Sequence, residues 1–182
     1  MPANSSSPES SDDQAPGLHA RGAALDVLRL IRSGLSLDEA MAQAKTFTAL
    51  EGADRGFART LLMTLLRRRN TLDEIYTGFL DRPLKANQHE VRALLRLAAA
   101  QIILLETPAH AATSTTVDLA KERRDTNGFS GLVNALCRKM INYDREKLKG
   151  LPPRIDTPGW LWRKLERAYG APATRKMAKT HI

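Results

Sequence analysis

The stretch "VRALLRLAAAQIILL", residues 91–105, decides the fold of this 182-residue chain. It is apolar around most of the circumference of a helix, and its only polar residues are Arg92, Arg96 and Gln101. The run is shorter than the roughly 18 or more apolar residues that a membrane-spanning helix needs. The pattern therefore predicts a buried helix over residues 88–105, at the centre of a soluble helical domain.

The sequence on either side of this central helix predicts further helices and no strand. "SLDE" at 36–39 and "TLDE" at 71–74 both fit a capping box, in which a hydroxyl caps the helix and a glutamate follows three residues later. No stretch shows the alternating pattern of a convincing strand or hairpin. We therefore predict an all-α fold with helices at 19–33, 36–44, 53–69, 71–80, 88–105, 110–123, 129–142 and 158–169, and a last helix from Pro172.

The composition divides the chain into three parts. Residues 1–17 are rich in Ser, Pro and Asp, and we expect a disordered tail there because such a segment cannot offset its ordering entropy. Residues 18–148 form the predicted main domain. Clusters of Pro and Gly in "KGLPPRIDTPG", residues 149–159, interrupt the helical pattern. We therefore predict that residues 149–182 are a linker and the start of a truncated helical segment.

The charge distribution favours a polyanionic partner. The formal net charge is +8, and residues 1–17 contain three acidic and no basic residues, so residues 18–182 carry +11. Nucleic acid is the most common partner of so basic a body, with an anionic membrane surface and simple solubility as the alternatives. Only 5% of the residues are aromatic, which argues against a stacking platform but not against arginine contacts to RNA phosphates. The basic candidates on the first and third helices are Arg21, Arg29, Arg32, Arg55, Arg59, Arg67, Arg68 and Arg69.

Cys137, the only cysteine, decides whether the chain carries a nucleophile. In "GFSGLVNALCRKM", residues 128–140, it shares a helical face with Val133, Leu136 and Met140. A reactive thiol needs exposure and a lowered pKa, so this position favours a core cysteine. The four histidines lack metal-ligand spacing, and no glycine pair follows a strand. We therefore predict no catalytic, metal-binding or cofactor-binding residue in this chain.

Three motifs, in this order and spacing, resemble the NusB-like RNA-binding family. They are "ADRGFARTLLMTLLRRRNTLDEIY" at 53–76, "LRLAAAQIILLETPAHAATSTTVDLAK" at 95–121 and the cysteine-containing segment at 128–140. The resemblance covers roughly residues 19–145. It implies a NusB-like helical bundle, built from two packed small helical subdomains, that binds RNA.

The family contains two kinds of protein, which imply different functions. One is the N-terminal domain of bacterial 16S rRNA cytosine-C5 methyltransferases of the RsmB/Sun type, and "PAH" at 108–110 and the segment after Asn142 resemble this version. The resemblance then implies a fragment that binds 16S rRNA, with the catalytic cysteines and the S-adenosylmethionine site beyond Ile182. The single cysteine permits no internal disulfide and fits a reducing cytoplasm. The first alternative is a stand-alone transcription antitermination factor that acts with a small ribosomal subunit protein. The second is a helical protein-interaction module.

The resemblance also implies which positions face RNA. Carried over by position, these are Arg21, Lys121 and the region from Gly128 to Asn134. The remaining arginines of the first and third helices are expected to contribute because of their charge alone.

Overall fold

The computed structural model describes residues 17–180, and every regular element in that range is helical. Short 3₁₀-helices at 127–129 and 145–150 accompany the α-helices. The all-α prediction is confirmed, whereas the predicted disordered tail lies outside the described residues except for Gly17. The α-helices are Leu18–Arg32 (α1), Leu37–Gln43 (α2), Lys45–Thr48 (α3), Gly52–Arg67 (α4), Arg69–Thr77 (α5), His89–Ala99 (α6), Ala109–Glu122 (α7), Ser130–Ile141 (α8) and Gly159–Thr180 (α9).

Helix α6 is the centre of the bundle, as its apolar sequence predicts. It packs against α1, α4, α5, α7 and α8, and its residues from Leu97 to Ala99 are fully buried. The helix does not continue regularly to Leu105, because residues 100–104 form a π-helix in which the Leu105 N–H donates to the Ala100 carbonyl at 2.9 Å. This segment holds the polar side chain of Gln101 inside the core.

The helices form two groups that share one continuous hydrophobic core. Helices α2, α3 and α4 pack around α1, and α5 to α8 form the second group around α6. Asp26 of α1 joins three elements, because the Thr46 hydroxyl donates to its carboxylate at 2.9 Å and Arg123 pairs with it at 2.9 Å. The arrangement agrees with the expected pair of small helical bundles, which meet along α1 and α6.

Local capping signals explain some helix starts. Ser36 and Glu39 form the predicted capping box of α2: the Ser36 N–H donates to Glu39 at 2.9 Å, and the Glu39 N–H donates back at 3.4 Å. The hydrogen bonds from Ser36 lower the pKa of Glu39. Helix α3 is only four residues long and was not predicted, although its Phe47 reaches the core.

The predicted capping box at Thr71–Glu74 is wrong. Helix α5 begins at Arg69, and Thr71 is a buried residue of its first turn. The N–H groups of Asn70 and Thr71 donate instead to Asp156, at 2.9 and 3.0 Å. A carboxylate from the segment between α8 and α9 therefore caps this helix, which no local pattern could indicate.

The same carboxylate fixes the segment after residue 148 on the bundle. Asp156 also pairs with Arg68 at 3.1 Å, and the Asn70 side chain donates to the Ile155 carbonyl at 2.7 Å. Helix α9, by contrast, buries only Thr174 and Ala178. Gly170, at φ 76°, interrupts this helix, in agreement with the two separate helices that the sequence predicts at 158–169 and from Pro172. The division of the chain at residue 148 remains a prediction.

We predict that Asp156→Ala frees the start of α5. Loss of a helix cap lowers the free energy of unfolding by about 1–2 kcal/mol, and the amides of Asn70 and Thr71 should exchange with solvent faster. Urea unfolding and hydrogen exchange measure the two effects, with the exposed Asp81→Ala as the matched control. Unchanged protection of both amides in Asp156→Ala would contradict the assigned cap.

Candidate nucleic-acid interface

A cleft of about 660 Å³ opens between α1, the end of α4, α5 and the start of α6. Its apolar wall comes from Leu25, Leu28 and Ile31 of α1 together with Leu65 and Leu66 of α4. Helical spacing places the three α1 side chains on one face of that helix. The cleft is therefore a consequence of how α1 and α4 pack side by side. Its polar lining residues are Arg29, Arg32, Arg69, Asp73, Tyr76, Thr77, His89, Glu90, Arg92 and Arg96.

Three of the five arginines in the cleft stabilise its walls. Arg96 donates to both carboxylate oxygens of Asp73 at 2.7 Å, and Arg32 pairs with Glu90 at 2.6 Å. Arg92 donates to the carbonyls of residues 84, 85 and 86 at 2.8–3.0 Å, which closes the loop before α6 onto that helix. These bidentate and forked contacts use the planar geometry of the guanidinium group.

The other two arginines, Arg29 and Arg69, are exposed at the cleft. Neither makes a hydrogen bond or an ion pair to any residue between 17 and 180. Tyr76 also lines the cleft and stays neutral, because burial, reinforced by the charge of Asp73, raises its pKa to about 12. The cleft thus presents two available positive charges above an apolar wall.

The structure places Arg21 in the interior rather than on an RNA-facing surface. Its side chain donates to Gln101 and, at 2.9 Å, to the Gly17 carbonyl, and its guanidinium lies 4.9 Å from the centre of the Phe57 ring. Only 4% of the residue is exposed, and burial lowers its pKa. The sequence contains a signal for this position, because Arg21 lies four residues before Leu25 and seven before Leu28, on the apolar face of α1.

The three consecutive arginines after Leu66 occupy three different environments. Arg67 is exposed at the end of α4, Arg69 lines the cleft, and Arg68 between them pairs with Asp156. The helix break at Arg68, with φ −106° and ψ 23°, separates the neighbouring side chains. Arg68 therefore holds the 149–158 segment, and only its neighbours keep their charges available.

The remaining candidate residues do not lie at the cleft. Arg55 is exposed on α4 and stacks on Phe47, with 5.8 Å to the ring centre, and Arg59 is exposed on the same helix. Lys121 pairs weakly with Asp118 at 3.6 Å, near the end of α7. Gly128 is exposed in a 3₁₀-turn and Asn134 is half-buried on α8. The structure therefore does not gather all predicted residues into one surface, and their contacts to RNA remain predictions.

Sequence reasoning missed three residues that line the cleft. The sequence pattern indicated only that these residues, His89, Arg92 and Arg96, belong to the central helix or interrupt its apolar run. Their spacing of three and four residues places them on one face of α6. That spacing could have identified them as one face of a helix. It does not predict that this face lies opposite α1 and α5.

Cys137 belongs to the core, as its helical position predicts. It is fully buried, and burial raises the pKa of its thiol to about 12. Between residues 17 and 180, no three His, Cys, Asp or Glu side chains lie close enough together to hold a metal ion. None of the helices in this range has both the length and the hydropathy to cross a membrane.

The sequence profile of the NusB family matches residues 18–142. This chain belongs to the NusB family. It is also 32% identical, over 86% of its length, to the "Ribosomal RNA small subunit methyltransferase B" of Xanthomonas campestris, and 31% identical over 86% to that of Xylella fastidiosa. A "Probable ribosomal RNA small subunit methyltransferase B" of Synechocystis is 31% identical over 88% of the chain.

The chain spans about a third of the length of these curated relatives, 35% of the Xanthomonas protein and 38% of the Synechocystis protein. The predicted resemblance to the NusB-like family, and within it to the methyltransferases, is confirmed. The relatives do not favour the antitermination factor or the protein-interaction module.

Proposed function

We propose that this chain binds small-subunit ribosomal RNA through the cleft between α1 and α5. In this proposal it is the RNA-recognition part of a 16S rRNA cytosine-C5 methyltransferase that acts in the cytoplasm. The observation that carries the proposal is the pair Arg29 and Arg69. Both are exposed at one cleft, and neither is neutralised by a carboxylate among residues 17–180.

Electrostatics support RNA as the partner. Residues 18–182 carry a net charge of +11, because the acidic residues of the first 17 account for −3 of the total of +8. Phosphate groups bound by arginine release their counterions, which makes such a surface attractive to any nucleic acid. Arginine also contacts base edges and stacks on bases in unpaired RNA. A basic helical cleft can therefore select unpaired RNA without a platform of aromatic residues.

The relatives support small-subunit rRNA as the specific RNA. The curated proteins that match are named as methyltransferases of that RNA, and the match extends over most of this chain. A small ribosomal subunit protein was the partner expected for the antitermination alternative. No feature of residues 17–180 favours such a protein over RNA at the cleft, so RNA is the partner that we propose.

The proposal assigns methyl transfer to parts of the longer relatives that this chain does not match. Transfer to cytosine C5 needs a cysteine thiolate, whereas the thiol of Cys137 is buried and has a pKa of about 12. The described residues also contain no strand, and hence no strand–glycine turn–helix unit of the kind that holds nucleotide cofactors.

We predict that the double variant Arg29→Gln, Arg69→Gln binds small-subunit rRNA fragments more weakly across many sequences. If each arginine contacts one phosphate, the slope of log affinity against log salt should fall by roughly two units. Filter binding at several salt concentrations measures both quantities. The matched control, Arg163→Gln with Arg167→Gln on α9, removes the same charge away from the cleft and should change binding much less. A parent-like salt slope in the cleft variant would reject this site.

We predict that the 182-residue chain alone does not bind S-adenosylmethionine. Calorimetric titration of the cofactor into the purified chain should give no heat beyond dilution. Saturable heat with micromolar affinity would contradict the assignment of the cofactor to the unmatched parts of the longer relatives.

A further inference from the structure

The shape and lining of the cleft indicate which part of an RNA it can bind, which its charge alone does not. Its volume of about 660 Å³ lies within the roughly 300–1,000 Å³ of pockets that hold small ligands. A surface that binds only a phosphate backbone needs no concavity and no apolar lining, since positive charge alone supplies non-specific affinity. Here the aliphatic side chains of α1 and α4 line the same cleft as the two available arginines. A recess with this lining suits an occupant that is partly apolar.

We propose that the cleft holds one unstacked nucleotide of single-stranded RNA. The base lies against Leu28, Ile31 and Leu66, and the phosphates on either side of it contact Arg29 and Arg69. This inference rests on the proposed function and specifies which part of the RNA enters the site. A duplex is excluded from the recess because its bases remain stacked and paired, whereas bases in loops and ends can leave the stack.

Three features of the cleft fit a nucleotide. The apolar wall removes one face of a base from water, and the exposed imidazole of His89 at the cleft can stack on a base. The two available charges equal in number the two phosphates that flank one nucleotide of a strand. The paired side chains, Arg32 with Glu90 and Arg96 with Asp73, are held in place, so the walls are preorganised before RNA arrives.

The same features fit an acidic peptide less well. An amphipathic helix binds by several side chains spaced along an extended apolar groove. The ion pairs that Arg32 and Arg96 form with Glu90 and Asp73 are part of this cleft, so its lining is ionic as well as apolar. A compact recess with ionic walls suits a single compact group, so we commit to a nucleotide.

The test fills the recess without changing its charge. Ala93 lines the cleft from α6 and is half-buried, and Ala86 lines it from the exposed loop before α6. Ala93→Leu should occupy the space of the base, and Ala86→Leu is the second variant because an exposed loop position tolerates a larger side chain. Thermal unfolding checks that both remain folded. The matched control is Ala42→Leu, at an exposed position of α2 away from the cleft.

Each protein is titrated with a short single-stranded oligouridine and with the same oligonucleotide carrying only abasic sugars. For the parent chain, loss of the bases should weaken binding by roughly tenfold, the scale of one base contact. In the filled variants, the two oligonucleotides should bind equally, at the affinity of the abasic one, and with the parent's salt slope because no phosphate contact is lost. The Ala42→Leu control should behave like the parent.

Two results would overturn the nucleotide site. If the filled variants bind oligouridine as tightly as the parent while the Arg29→Gln, Arg69→Gln variant binds weakly, the cleft binds backbone phosphates only, and the proposed function stands without this inference. If base removal has no effect on the parent and an acidic amphipathic peptide displaces the RNA, the recess is a peptide site. If the arginine variant also binds RNA like the parent, the proposed function itself fails.

Discussion

The contact between Arg21 and Gln101 is the constraint on which the rest of the bundle depends. A guanidinium group does not lose its charge in proteins, so its burial requires polar partners. Gln101, the Gly17 carbonyl and the face of Phe57 supply them. Gln101 stands in the π-helical turn after α6, and its amide also donates to Thr116 of α7 at 3.4 Å. The contact therefore fixes α1 against both α6 and α7.

The sequence predicted those parts of the fold that depend on interactions between residues close together in the chain. The apolar run at 91–105 identified the central helix, and the Ser36–Glu39 capping box marked the start of α2. The failures involve contacts between residues far apart in the chain. Thr71 carries a valid local capping signal, but Asp156, 85 residues later, caps α5, which begins at Arg69 and therefore ahead of that signal. The partner of Arg21 is 80 residues away, so the apolar face of α1 can indicate the burial of Arg21 but not its contact with Gln101.

The candidate site also depends on contacts between residues far apart in the chain, which the sequence does not reveal. Charge clustering selected Arg29, Arg69 and Arg68 with equal weight, whereas in the structure the first two are exposed at the cleft and Arg68 pairs with Asp156. These arginines are chemically identical, and only the helix break at Arg68 sends neighbouring side chains to different surfaces. The cleft itself was not predicted, because its walls come from helices that are distant in sequence. Composition could indicate a nucleic-acid partner, whereas the recess that would distinguish a base from a phosphate exists only in the folded chain.

We propose that Arg21 stabilises the fold, whereas Arg29 and Arg69 contact the RNA. The variant Arg21→Met tests this division of roles most directly. Its unfolding free energy and the salt dependence of its rRNA affinity are measured at a temperature where the variant remains folded. We predict a loss of about 2–4 kcal/mol of stability, because Gln101 and the Gly17 carbonyl lose their buried donor, with a salt slope equal to that of the parent. A slope reduced by about one unit with unchanged stability would show that Arg21 contacts a phosphate, and would contradict the account.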